Sequence, residues 1–188
     1  MVPIQDPKQP DRQAFTTNRV VAALRRIIRA IDLHSRTLVQ RFGLTGPQLV
    51  VLKALVERSP QSVSELAAAV NLSQATVTGI LNRLGAKAMV TKARDVDDRR
   101  KVMVSLTSAA EDALAGAPPL LQEHFTEAFV RLPDWEQTQI LSSLQRIVAL
   151  MEAGDVEAGP ILTTGPLDAT PEMTKEFLDT ELVTKRTD

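Results

Sequence analysis

A chain of 188 residues, 44% hydrophobic but only 3% aromatic, suits one aliphatic domain, or one domain plus an appendage. It has no cysteine, which excludes disulfides, thiolate metal sites and cysteine redox sensing, and no apolar run approaches the roughly 18–20 residues of a membrane span. The net charge of −1 hides a segregation: residues 1–41 hold eight Lys/Arg against three Asp/Glu, residues 74–101 seven against three, and residues 152–188 three against nine. A basic front with an acidic rear is the asymmetry expected of a chain that meets a polyanion. The polar, Pro-rich start MVPIQDPKQPDRQ lacks the features of a signal or transit peptide, so a soluble cytoplasmic protein with no membrane partner is expected.

Residues 1–14 read as a disordered arm. From Phe15 to Phe42, Val20, Val21, Leu24, Ile27, Ile28, Ile31, Leu38 and Phe42 recur at helical spacing, with Arg25, Arg26, Arg29 and Arg36 largely off the stripe and Gly43 as the stop. A second helix is expected from Pro47 to Arg58, with proline in its first turn, ended by Ser59-Pro60. Ser62 and Glu65 have the spacing of a capping box, and Ser73 can cap the next helix, Gln74 to Lys87. MVTKAR and KVMVSL read as two strands, the second anchored by Val102, Val104 and Leu106, with DVDDRR as the hairpin loop. Thr107 can cap a helix over residues 108–131 that Pro118-Pro119 must kink or break. Asp134 is expected to cap the last long helix and Gly154 to close it. Residues 155–188 read as an acidic irregular tail with a short helix near Glu172–Leu182. The order is four helices, a hairpin and two helices. It gives a mainly α, α+β winged helix-turn-helix of six helices with a two- to three-stranded wing, the winged unit spanning 43–107.

The two short helices can be tested position by position. Helices crossing sharply need a small residue at the crossing, apolar residues toward a shared core and a tight turn. Ala67 supplies the first, Leu66, Val70, Leu72, Val77 and Ile80 the second. Asn71 supplies the third, being next best to glycine for a left-handed backbone. The outward face of the second helix then presents Gln74, Ala75, Thr76, Thr78, Gly79, Asn82 and Arg83, with Ser73 at its start. Gln and Asn can bond an adenine edge in the major groove; Thr can meet a phosphate or a thymine methyl.

LTGPQLVVLKAL, SELAAAVNLSQATVTGILNRL and DRRKVMVSLT, in this order, resemble the MarR family of dimeric bacterial transcription regulators over residues 20–152. The resemblance implies double-stranded DNA as partner and the helix from Gln74 in the major groove. Its wing motif, Asp-x-Arg-x-x-x-Val-x-Leu-Thr, falls on Asp98, Arg100, Val104, Leu106 and Thr107. It implies Arg100 as minor-groove reader, Asp98 as its orienter, and Arg99 and Lys101 as phosphate contacts, with Lys92 and Arg94 as further DNA-binding candidates. Two positions depart from the pattern: Ala88 stands for a usual glycine, which would be awkward in a left-handed backbone, and Lys92 for a usual arginine. PPLLQEHF, DWEQTQILSSLQRIVALMEA and AGPIL further resemble the branch controlling compatible-solute (ectoine or glycine betaine) genes.

The resemblance also implies that the helices at 15–42 and 108–154 join two copies, against the alternative of an intrachain bundle. A small-molecule effector would bind between those helices and the winged unit, with Arg29, His34 and Arg36 as candidates. His34 and His124 are the only histidines and lie far apart, so no metal or other cofactor is expected. Trp135 and Phe42 read as core packing rather than an aromatic box around a ligand cation. No catalytic constellation is found, so an enzyme is not expected. A dimeric repressor at a pseudo-palindromic operator, linked to osmotic stress, is the expected function. The alternatives are an effector-dependent activator, a sensor of a small aromatic or xenobiotic ligand, and a winged helix reduced to protein contacts. The acidic tail is a candidate competitor for the basic face.

Overall fold

The computed structural model describes residues 9–156, 159–165, 167 and 169–176. Seven helices and three strands follow in the order α1 (Gln9–Phe42), α2 (Gly46–Glu57), β1 (Gln61–Ser62), α3 (Val63–Ala69), α4 (Gln74–Ala86), β2 (Val90–Arg94), β3 (Val102–Leu106), α5 (Ser108–Ala115), α6 (Leu121–Phe129) and α7 (Asp134–Leu150). Residues 171–176 form a further helical turn. The strands make one antiparallel sheet in the order β1-β3-β2, with Gln61 opposite Val104 and Lys92 opposite Val104 on the other side.

The winged unit is built around one aliphatic core. Leu49, Leu52 and Leu55 of α2, Leu66 of α3, Val77, Ile80, Leu81 and Leu84 of α4 and Val104 of β3 are all buried. Leu38 and Leu44 extend it to the end of α1. Gly43 turns left-handed there (φ 62°), and Leu44 N–H donates back to the Leu38 carbonyl, so the helix closes at the expected glycine. The caps explain the local fold. Ser62 Oγ accepts from Glu65 N–H while the Glu65 carboxylate accepts from Ser62 N–H at 2.9 Å. This holds the Glu65 carboxyl below the usual range, its hydrogen bonds from Ser62 being the chief cause.

Several expectations change. Helix α1 begins at Gln9, inside the stretch read as an arm, because Pro10 and Asp11 are favourable first-turn residues rather than signs of disorder; residues 1–8 lie outside the described residues. The helix expected over 108–131 is broken into two at Pro118-Pro119, the stronger of the two outcomes expected there. Pro133, not Asp134, takes the cap position of α7, and its carbonyl accepts from Gln137 N–H. Glu152 (φ 54°), not Gly154, takes the left-handed turn after α7, where Ala153 N–H reaches the Val148 carbonyl and ends the helix first. Val102 is exposed rather than anchored, because the hairpin has left the body of the domain by then.

Two surfaces frame this unit. Val20, Ile27 and Ile28 of α1 and Leu141, Leu144 and Val148 of α7 are exposed, and no residue of α7 is buried, so the chain does not fold these faces on each other. Trp135, read as core, is 66% exposed; helical spacing turns it away from the Leu141–Val148 stripe. The second surface is covered by the chain's own end. The described residues between 159 and 176 run back over α1 and the winged unit with Ile161, Ala169, Pro171 and Thr174 buried, so this part of the acidic tail is docked. The helix expected near 172–182 starts at residue 171; residues 177–188 lie outside the described residues.

Candidate nucleic-acid interface

Helix α4 is fixed from behind. Val77, Ile80, Leu81 and Leu84 face the core, and Ala67 of α3 is buried at the crossing. Asn71 takes the left-handed turn with φ 53°, as its residue type allows. Leu72 is half-buried against the same core. The residues left outside are Ser73, Gln74, Ala75, Thr78 and Asn82, which are exposed, and Thr76, Gly79 and Arg83, which are half-buried.

Their polar groups are partly engaged. Ser73 Oγ accepts from Thr76 N–H at 3.1 Å and shares a hydrogen bond with Thr76 Oγ1. Thr78 Oγ1 donates to the Gln74 carbonyl one turn back, leaving its methyl outward. Lys92 Nζ donates to Asn82 Oδ1 at 2.5 Å. Asn82 therefore offers its amide donor to a partner, and a two-bond contact to adenine needs Lys92 to let go. Gln74, Thr78, Lys92, Arg100 and Lys101 line one groove with Ser64, of about 420 Å³, between the start of α3, the open face of α4 and the wing.

The wing is an ordered hairpin. Asp95 N–H donates to the Lys101 carbonyl and Lys101 N–H to the Asp98 carbonyl. Asp95 Oδ1 accepts from Asp97 N–H at 2.9 Å and Asp98 N–H at 2.8 Å. These bonds, the one from Asp98 first, hold the Asp95 carboxyl below the usual range. Asp98 Oδ1 accepts from the backbone N–H of Arg100 at 3.1 Å. The carboxylate so sets the Arg100 backbone, and its guanidinium makes no ion pair with Asp98 among the described residues. Arg94 Nη1 donates to the Arg99 carbonyl, bracing the tip. Arg99, Arg100 and Lys101 are exposed in succession. At the base, Thr107 Oγ1 donates to the Ala88 carbonyl at 2.7 Å while Thr107 caps α5, so the last residue of the wing motif ties hairpin to helix.

The effector candidates do not converge. Arg29 is exposed, and Arg36 is half-buried. His34 is half-buried, and its Nε2 finds no hydrogen-bond partner among the described residues; burial pushes its pKa down, against the pull of Glu123. A cavity of about 570 Å³ lies where α2, α3 and α6 meet, lined by Val50, Val70, Leu120, Ile161, Glu123 and Glu127 among others, and by none of the three candidates. Glu123 there is already paired with Lys53 and accepts from Leu120 N–H. Carboxylates on an apolar cavity disfavour an anionic occupant. No group of three or more His, Asp or Glu is placed to hold a metal among the described residues, and no described helix is long and apolar enough to cross a membrane.

The residues that sequence reasoning missed are Asp95, read as a solvated loop acid, and the pair Asp32 and Ser35. These two are buried on α1, where Thr164 Oγ1 donates to Asp32 Oδ1 at 2.7 Å and Thr164 N–H to Ser35 Oγ at 3.2 Å. An acid set among the aliphatic residues of α1 was the only signal for the second.

A profile described as the MarR family matches residues 44–102. The HTH-type transcriptional repressor NicR of Pseudomonas putida is 35% identical over 105 residues, 56% of this chain and 66% of its own length. The homoprotocatechuate degradative operon repressor of Escherichia coli is 24% identical over 117 residues, 62% of this chain and 79% of that one. Among solved structures, BpsR of Bordetella bronchiseptica, whose DNA binding is regulated by 6-hydroxynicotinic acid, is 29% identical, with a TM-score of 0.47, over 69% of this chain and 98% of its own.

Proposed function

This chain belongs to the MarR family of DNA-binding transcription regulators rather than to any enzyme class, and from that premise we propose that two copies act together as a repressor at a pseudo-palindromic operator. One observation carries the reading. A core-fixed α4 with an open polar face stands beside a hydrogen-bonded hairpin whose tip presents three successive cations, two of which, Arg100 and Lys101, line one groove with Gln74 and Thr78 of α4. In this reading α4 enters the major groove with Gln74, Thr78 and Asn82 toward base edges and Ser73, Thr76 and Arg83 toward the backbone. Arg100 reaches the adjacent groove, while Lys92, Arg94, Arg99 and Lys101 neutralise phosphates. The exposed aliphatic faces of α1 and α7 support a second copy as partner. Two-fold pairing would place the α4 helices about one DNA turn apart, roughly 34–36 Å. The repressor sign follows the two named relatives.

The test is quantitative. Arg100→Ala should weaken binding to a duplex selected by the wild-type protein from a random pool by roughly 1–3 kcal/mol. Wild-type affinity should fall steeply with salt. Affinity that is flat with salt and untouched by Arg100→Ala sinks the reading. Control of osmolyte synthesis or uptake genes is a narrower reading, favoured by the stretches from Pro118 and Asp134 that resemble that branch. Transcripts of adjoining genes in a deletion strain, compared at low and high osmolarity, test it; an unchanged osmotic response removes it.

A further inference from the structure

Residues 159–176 lie beyond the part of the chain matched to the family profile, yet they are anchored at several points. On α1, Thr164 bonds Asp32 and Ser35. On α6, Gln122 Oε1 accepts from Leu162 N–H. At the start of α2, Thr163 lies so close to Gly46 that a β-carbon there would sit 3.3 Å from its own. Beside the turn into α4, Ile161, Thr163 and Leu167 line a cavity of about 480 Å³ with Asn71, Ser73 and Thr76. At the far end of α4, Pro171, Glu172 and Lys175 line a cleft with Lys87, Val39 and Gln40. The segment thus reaches both ends of α4 and bonds to α1 between them.

Without it, α1 meets the winged unit chiefly through Leu38, Phe42 and the turn at Gly43. Upstream of Asp32, most described side chains of α1 are exposed. Without the segment, the hold on α1 would be confined to its last turns, Leu38 to Gly43, where Lys87 Nζ also donates to the Gly43 carbonyl.

We propose that the described residues between 159 and 176 are an internal staple that fixes the angle between α1 and α4, and that DNA binding requires it seated. The proposal rests on the DNA-binding reading above. Its physical basis is preorganisation. Two α4 helices match two half-sites only at one spacing, and a swinging unit populates that spacing for a fraction of the time, weakening apparent affinity by that fraction. The described part of the tail lines none of the wing groove but faces Ser73 and Thr76 at the start of α4, so a tail that competed with DNA would give the opposite outcome, tighter binding when it is displaced.

The absence of cysteine makes a clean test in the full chain. Gly46→Cys with Thr163→Cys brings two β-carbons close to the roughly 3.5–4.5 Å that a disulfide needs. Oxidised, this variant should bind the selected duplex as tightly as wild type. Ile161→Asp, which puts a charge on a buried anchor, should weaken binding roughly tenfold or more by the fraction argument. The triple variant, oxidised, should recover most of that loss, which a misfolded chain would not do. Seating is read without DNA, by the rate of disulfide formation and by amide hydrogen exchange at Leu162 and Thr164. The proposal is overturned if Ile161→Asp binds as well as or better than wild type, if the oxidised lock abolishes binding, or if the lock fails to rescue. A wild-type protein that binds no duplex at low salt would instead remove the DNA reading, and leaves the exchange measurement to judge the staple.

Discussion

A backbone φ of 54° at Ala88 puts a β-carbon where L-residues are strained by roughly 1–2 kcal/mol. Nothing local relieves it. Ala88 N–H bonds Gly85 and its carbonyl takes the Thr107 hydroxyl, so the turn is held in place by its neighbours. Ala88→Gly is expected to raise unfolding free energy by about 1 kcal/mol, less than the full strain because glycine also frees the unfolded chain. Urea denaturation measures it, and the affinity for DNA should not change. Asn71 has nearly the same φ but a side chain suited to it, so Asn71→Gly should gain little. The sequence showed Ala88 as the odd residue; only the dihedral angle shows that the strain is present. Asp95 was illegible for a different reason. Its role lies in two backbone N–H groups that a sequence does not display, and in a run of acids one carboxylate looks like another.

At the scale of elements, the helix-turn-helix was legible because every requirement acts within a few residues. The Ser62–Glu65 box, the Ser73 cap, the left-handed Asn71 and the apolar spacing all agree on one structure. The break at Pro118-Pro119 was legible too, but the start of α1 was not, since a proline near Gln9 opens a helix in a stretch that reads as an arm. The wing carries its own prediction. Asp95→Ala should loosen the tip that holds Arg99 and Arg100 and weaken DNA binding several-fold, with Asp95→Asn intermediate because its carbonyl can still accept. Titration sharpens this. A carboxyl whose folded pKa is depressed adds stability that is complete above its ordinary value of about 4 and lost as pH falls through the lower folded value. The order of the Asp97 and Asp98 amides, followed by NMR, should therefore be constant above that range and decay only below it. Loss of that order near neutral pH would argue against Asp95 as the organiser.

At the scale of the whole molecule, contacts of long sequence range decide, and these the sequence did not reveal. Thr164 meets Asp32 from 132 positions away, and neither a Pro-rich tail nor a single acid in a helix predicts the other. Trp135 shows the same limit: counting it as core assumes that the one tryptophan must be buried, while its helical position turns it to water. The aliphatic faces of α1 and α7 were legible as faces; their burial belongs to a second copy in the reading proposed above. Assembly on those faces makes unfolding depend on concentration, so the melting temperature should rise with protein concentration, and a constant value over a hundredfold dilution would count against pairing.

Those open faces also bear on gene dosage. A lone copy carries Ile27, Ile28, Leu141 and Leu144 in water. If copies pair as proposed above, the paired form grows as the square of their number when they are scarce, so halving expression should cut promoter occupancy to about a quarter rather than a half. The unpaired remainder would be the form most open to proteolysis, so scarcity would compound itself. A promoter governed this way switches on a modest change in protein supply.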